Sequence, residues 1–394
     1  MSGRLRAIAT AGAVAGAGIA AAGPVLDRLV ARTEARLNPV RVPPPYPVSE
    51  RAAALHATLD VADLHADSLL WGRDLMLRGT RGHLDLPRMR EGGFALQVFA
   101  AAVKSPRHLN IERNDDRTDE VTKLAVAKRW PPRTWGSLLA RALFLAERLE
   151  GFADRSGGTL RVIRTRRDLA ALLEARAQGT WVVGGVLSIE GAHALDDDPA
   201  NVDVVADAGY RMISPAHFFD TAFGGSAHGV AQGGLTAAGR ELLRRMEGRG
   251  LVVDVAHASA ATIDDILAMA IRPVVASHTG VRGTCDNARN LSDDQVRGIA
   301  ATGGLIGIGF WDTATGGTDA ASIARAIRYT VDLVGATHVA LGSDFDGAVP
   351  VPFDGSGMAL LTEALLDTGL DEAAIRAVMG GNVLLLLAAV LPDG

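Results

Sequence analysis

Seven side chains of the kinds that bind metals or move protons stand at the ends of short apolar runs in this 394-residue chain: His65, Asp67, Glu190, His217, His257, His278 and Asp344. The first two lie in "VADLHADSLLW", residues 61–71. In a strand, residues two apart share a face, so His-x-Asp brings an imidazole and a carboxylate together without any turn. One such pair reads as a hydrogen-bonded strand end. Its recurrence at several strands points to chemistry, because imidazoles and carboxylates gathered at one rim can hold two divalent ions with one carboxylate bridging them. Such ions lower the pKa of bound water from about 15.7 toward roughly 7 for zinc, giving a hydroxide able to attack an amide carbonyl at neutral pH. Cys285 is the only cysteine, so an internal disulfide and a thiolate zinc cluster are excluded, and a metal must use His, Asp and Glu. His56, His83, His108, His193, His228 and His338 fall outside the ligand set and read as packing, surface or supporting residues.

The elements that must carry these residues are legible after residue 50, where β-rich apolar runs alternate with helical stretches. The runs are 61–67, 95–103, 181–190, 210–218, 251–259, 273–280, 303–310 and 338–347. Between them, "TAAGRELLRRMEGRG" and "DAASIARAIRYTVDLVGA" place apolar residues at helical spacing. Eight strands, each followed by a crossover, predict an α/β chain folded as a closed (β/α)8 TIM-like barrel, which collects catalytic side chains at the C-terminal ends of its strands. No G-x-G-x-x-G turn follows the first strand, so a dinucleotide site is unsupported. The connection 104–180 is too long for a simple crossover and contains "SLLARALFLAERLEGFA", which reads as an extra helix in an insertion covering the barrel mouth.

Composition narrows the partners. Hydrophobic residues at 48% and charged residues at 22% supply one large core, and a net charge of −5 without charged blocks argues against nucleic acid. Residues 1–26 differ from the rest: Arg4 and Arg6 precede an uncharged Ala- and Gly-rich run from Ala7 to Leu26, which reads as an export signal or an N-terminal membrane anchor. Residues 27–50, with "NPVRVPPPYPVSE", read as a proline-rich linker to a single domain over 51–394.

The stretches "DLHAD", "HLDLPRMREGGFALQVFAA", "SIEGAHAL", "SPAHFFDTAFGGSAHG", "GLTAAGRELLRRMEGRGLVVDVAHAS", "PVVASHTGVRG", "ARNLSDDQ", "GSDFDG" and "GGN" occur in an order that resembles the membrane dipeptidase family, the renal dipeptidase group of binuclear zinc peptidases. The resemblance spans nearly everything after residue 50. It implies a metal-dependent hydrolase barrel binding two Zn2+ ions, with His65 and Asp67 on one, Glu190 bridging, and His257 with His278 on the other. It further implies that Asp344 transfers protons at a metal-bridged hydroxide, that His217 contacts substrate and steadies the tetrahedral oxyanion, and that Arg289 holds the terminal carboxylate of a dipeptide. An oxyanion needs a donor aimed at developing charge, and a guanidinium fork suits a carboxylate. Ala66 stands where relatives carry Asn, and Leu385 where an arginine is common. A homodimer is also implied, and membrane attachment through the N-terminus, since the chain ends in "AAVLPDG". The expected location is export or membrane anchorage, as in a bacterial periplasm or inner membrane, ahead of the cytoplasm. Two other readings stand beside dipeptide hydrolysis: a related binuclear hydrolase acting on N-acyl amino acids, lactones or β-lactams, and a non-catalytic surface binding protein.

Overall fold

The computed structural model describes residues 23–394; the export or anchor reading of residues 1–26 falls almost wholly outside them. The parallel strands are β1 (Val61–Ala66), β2 (Phe94–Ala102), β3 (Leu160–Val162), β4 (Val183–Glu190), β5 (Tyr210–Ile213), β6 (Val252–Asp254), β7 (Val274–Thr279), β8 (Leu305–Ile308) and β9 (Val339–Leu341). All but β3 close into a barrel, with β2 paired to β4 and β9 returning to β1. The eight runs expected from the sequence are the eight barrel staves. β3 is additional: it pairs with Val183–Gly185 at the start of β4, ahead of the point where β5 joins at Leu187. Three residues are too few to show a period of two, which is why "LRV" gave no strand signal.

Alternation along the staves builds the lumen in layers. Val186, Ser188 and Glu190 share one face of β4, as Val252 and Asp254 do on β6 and Val275 and Ser277 on β7. Val186, Val252 and Val275 join Leu96, Met212, Leu305 and Ala340 in one apolar cluster with Val383, Leu386, Leu387 and Val390 of the helix Asn382–Val390. The bottom of the barrel is therefore filled with hydrocarbon and stoppered by that helix, and the polar side chains sit above it. Glu372–Val390 is apolar and long enough to cross a membrane by composition, but 56% of it is buried against the barrel. Leu385 is on the outer side of this helix, 70% exposed, so its departure from arginine does not reach the lumen.

The helices begin where capping residues stand. Ser137 opens Leu138–Arg155, the expected extra helix, by accepting the amide of Ala140, and Asp319 opens Ala320–Val334 in the same way from Ser322. Ser292 and Gln295 form a reciprocal capping box at Asp293–Ala301. The insertion divides its roles: Leu138–Arg155 packs beside the staves, whereas Ser105, Leu109, Asn110 and Ile111 reach over the mouth. The stretch 27–50, whose prolines mark a linker, is not free of the barrel. It begins within the helix Gly23–Leu37, whose Glu34 is fully buried between Arg73 and Arg81, and Val40 bridges to Val351. A buried carboxylate with two guanidinium partners docks the segment, a contact that composition does not announce.

β7 and β8 approach closely because Gly307 lacks a side chain: a Cβ there would sit 2.2 Å from the carbonyl oxygen of Ser277. Gly307→Ala is expected to lower stability by about 3 kcal/mol, read from the urea midpoint. Gly136→Ala, where nothing lies within 4 Å, should change it by less than about 0.5 kcal/mol. Equal effects at the two positions would mean that the close strand approach is not a constraint.

Candidate metal centre

Every proposed ligand emerges at the C-terminal end of a stave. His65 and His278 lie within β1 and β7, Glu190 is the last residue of β4, and Asp67, His217, His257 and Asp344 follow β1, β5, β6 and β9 by one to four residues. The four imidazoles converge on a single atom. Glu190 Oε1 lies 3.5 Å from His65 Nε2, 3.4 Å from His217 Nε2, 3.1 Å from His257 Nε2 and 3.5 Å from His278 Nε2. On the other flank, His65 Nε2 is 3.4 Å from Asp67 Oδ2 and 3.9 Å from Asp344 Oδ1. Three overlapping groups of metal-ligating atoms result: His65, Glu190 and His278; Glu190, His217 and His257; His65, Asp67 and Asp344. The structure thus brings the five expected ligands together and places His217 and Asp344 beside them. His217, expected only against the substrate, is as near Glu190 as the other imidazoles are.

The chain turns sharply to aim these groups. His257 and Asp344 adopt left-handed φ values of 63° and 59°, uncommon for residues with a Cβ and characteristic of functional turns held by their surroundings. Gly191, at φ 94°, follows Glu190 directly, and a Cβ there would meet the His193 ring at 2.3 Å and His217 Cβ at 3.0 Å.

The tautomer of His278 follows from its neighbours. The Asp254 carboxylate can only accept, so the Ser277 hydroxyl donates to it at 2.6 Å; the Ser277 oxygen is then the acceptor for His278 Nδ1–H at 2.9 Å. That leaves Nε2 of His278 a lone pair aimed into the site. Asp254 Oδ1 also accepts the amides of Ala256 and Ser277, each at 2.9 Å, so the relay is anchored to β6 and β7 together. The sequence does not single out either residue, since Asp254 lies inside the apolar run 251–259, whose end carries His257, and serine is not a ligand type here. Their only signal is a shared lumen face with the residues around them.

Charge in the site is uneven. Burial pushes His217, His257 and His278 well below the usual imidazole pKa, so they are neutral. Burial also opposes charge on His65, but Glu190, Asp67 and Asp344 outweigh it and hold that imidazole up at about 10. Desolvation raises Glu190 well above the ordinary carboxyl value and Asp344 to about 8. Three neutral imidazoles, one charged imidazole and three acidic side chains therefore crowd together here. His257 Nε2 and His278 Nε2 are 2.8 Å apart, and Asp67 Oδ1 is buried without a partner. The nitrogen spacing is an N–H···N hydrogen-bond distance, and two nitrogens sharing one zinc at tetrahedral angles would stand about 0.5 Å further apart. The donor set fits divalent ions.

The cavity above the cluster is about 270 Å3, below the roughly 300–1,000 Å3 of drug-sized sites. Arg289 forms part of its wall, 7% exposed, with one guanidinium nitrogen donating to the His278 carbonyl at 2.6 Å and the group lying 5.7 Å from the Trp311 ring. It is not tied up by the acidic residues beside it in sequence: Asp293 accepts from Tyr329 and Asp294 from Arg297. His228, set aside in the sequence as non-ligand, belongs to the same wall. Its Nδ1 faces the Ile111 carbonyl at 2.6 Å, so Nδ1 carries the proton and Nε2 remains an unpartnered acceptor.

Comparison with known proteins points to one family. Residues 49–391 match a family described as Membrane dipeptidase (Peptidase family M19). Dipeptidase verJ from Clonostachys rogersoniana is 28% identical over 334 residues, covering 78% of this chain and 83% of that one. Among solved structures, dipeptidase AC, a metallo peptidase, superposes with a TM-score of 0.71 at 28% identity, over 85% of this chain and 99% of that one. A metallo peptidase from Rhodobacter sphaeroides, liganded with a phosphinate mimic of the dipeptide L-Ala-D-Ala, gives 0.67 at 26% identity over 84% and 99%.

Removing the acceptor at Ser277 should free His278 to carry its proton on the nitrogen that faces the site. Ser277→Ala is expected to weaken divalent-metal binding by about 10- to 100-fold in a chelator competition, with the circular dichroism spectrum unchanged. Undiminished affinity would mean that the hydroxyl does not orient the imidazole.

Proposed function

The chain belongs to the membrane dipeptidase family, whose members are metal-dependent hydrolases, and from that premise we propose that it hydrolyses free dipeptides with two zinc ions held by His65, Asp67, Glu190, His257 and His278. The observation that carries this reading is the convergence of four imidazole nitrogens on Glu190 Oε1 within 3.5 Å. A carboxylate so placed is suited to bridging two ions. When bound, such ions supply a Lewis acid for the scissile carbonyl and a water acidified toward neutral pH.

The chain's own residues do the rest. Asp344, whose carboxyl burial lifts to about 8, can take a proton near neutrality and deliver it to the departing amine. His217 is neutral and buried, so it can donate an N–H to the oxygen on which charge develops as the carbonyl is attacked. Arg289 has its pKa lowered to about 10 by burial and still carries its charge at neutral pH. Its guanidinium would fix the terminal carboxylate one residue beyond the scissile bond, which sets the length of the leaving side. The small cavity favours dipeptides of small residues, in keeping with the L-Ala-D-Ala mimic held by the Rhodobacter sphaeroides relative. We extend the proposal to the rest of the chain: residues 51–394 form the catalytic domain, two copies associate, and the N-terminal segment directs export or membrane attachment. Cell fractionation and the mass of the mature chain test the last point.

Two measurements test the activity. Dipeptide turnover should require added zinc, vanish on chelation and return on reloading, with N-acyl amino acids, lactones and β-lactams cleaved at least about 100-fold less efficiently. A reversed preference among these substrates would make the protein a related hydrolase, and no turnover of any would leave a binding protein. Arg289→Ala should reduce kcat/KM by about 100-fold or more for free dipeptides and far less for their C-terminal amides; equal losses on both would remove the carboxylate clamp.

A further inference from the structure

The loop after β9 carries Asp344 and continues as one wall of the cavity through Pro350. It is an improbable piece of backbone. Asp344, Asp346 and Ala348 alternate at left-handed φ values of 59°, 65° and 63°, a conformation that residues with a Cβ keep only where their surroundings hold it. The fold-back is tight: a Cβ on Gly347 would lie 1.8 Å from Asp344 Oδ1 and 3.0 Å from Asp67 Oδ2. Any relaxation of 346–348 therefore shifts the Asp344 carboxylate relative to the ligand cluster.

The restraints come from two sides. From the barrel, His83 donates its amide to Asp346 Oδ1 at 2.6 Å and accepts the Asp346 amide on Nδ1 at 2.9 Å, while the Trp71 indole donates to the Asp346 carbonyl at 2.6 Å. The others come from residues 34–42, upstream of the family match that begins at residue 49. Asn38 Oδ1 accepts the Ala348 amide at 2.8 Å, and the Pro39 carbonyl accepts the Val351 amide at 3.1 Å. Arg41 and Val42 donate their amides to the carbonyls of Val351 and Pro352 at 2.9 and 3.0 Å. One step further back, buried Glu34 and Asp346 share the guanidinium of Arg73 between them. The segment is thus clipped along the loop at 348, 351 and 352, and through Arg73 at 346.

We infer that the N-terminal segment 23–42 is a positioning element of the active site, holding the left-handed loop 344–352 in the shape that presents Asp344. This rests on the role given to Asp344 above. Glu34 and Asn38 are its positioning residues; neither lines the cavity, and each acts through the loop.

The test uses the full chain with Asn38→Ala, Glu34→Gln and, as a control on the exposed side of the same helix, Arg32→Ala. Amide exchange of peptides covering 343–352 is measured without substrate, and steady-state kinetics on a dipeptide are measured with zinc present. Losing the Asn38 acceptor should speed exchange in 343–352 by about five- to tenfold and lower kcat by a similar factor, with KM changed less than about twofold. Glu34→Gln should act in the same direction and Arg32→Ala should do nothing. A lowered Tm with exchange in the loop and kcat both unchanged would reduce the segment to a stabilising strap and overturn the inference. If Glu34→Gln does not fold, Asn38→Ala decides alone. The exchange measurement needs no substrate, so it separates failure of this inference from failure of the dipeptidase assignment.

Discussion

Four imidazole nitrogens aimed at one buried carboxylate oxygen form an arrangement that a folded chain does not adopt without cause. In a lumen of low dielectric such groups repel through their lone pairs wherever neither a proton nor a cation lies between them. The barrel imposes the arrangement by stiffness, since each group leaves a separate strand end and none can withdraw without disturbing a stave. The environment is graded as well. His65, beside Asp67, Asp344 and Glu190, is held up at about 10, whereas His217, His257 and His278 are driven neutral by burial. One side of Glu190 holds a charged imidazole among acidic groups and the other a set of neutral imidazoles. Two ions held there would meet unlike surroundings.

The layers beneath explain how this is tolerated. Valines and leucines fill the lower lumen, and the Asp254–Ser277 pair lies between that hydrocarbon and the ligands. Asp254 takes two backbone amides and one hydroxyl, so its charge is met by donors before the first imidazole is reached. Asp63, fully buried on β1, is held likewise by the amide and hydroxyl of Ser343 and the amide group of Gln97. These carboxylates pin the roots of β1, β6, β7 and the Asp344 loop. The left-handed residues at His257 and Asp344 are then affordable, because the staves below them cannot move.

Much of this is legible in the sequence. The eight staves show as apolar runs because both faces of a parallel barrel are buried, and the expected ligands sit together because strand ends meet at one rim. What escaped the reading depends on contacts across long separations. Asp254 and Ser277 differ from ordinary strand residues only in sharing a lumen, and His228 reaches the cavity wall because Ile111, more than a hundred residues away, fixes its ring. β3 was too short to show a period. Residues 27–50 read as a connector because of their clustered prolines, whereas buried Glu34 and the hydrogen bonds of 38–42 hold the segment against the barrel.

The stopper at the barrel floor governs traffic. With Val383, Leu386, Leu387 and Val390 filling the floor among the lumen valines, the described residues close the reaction chamber below, and its cavity lies at the strand ends. With the floor filled, departure as well as entry takes place on the strand-end side, so the fragments of a cleaved molecule leave past the same rim that the next one approaches. Side chains at that rim, including those reaching in from 105–111, therefore act on departure as well as on admission.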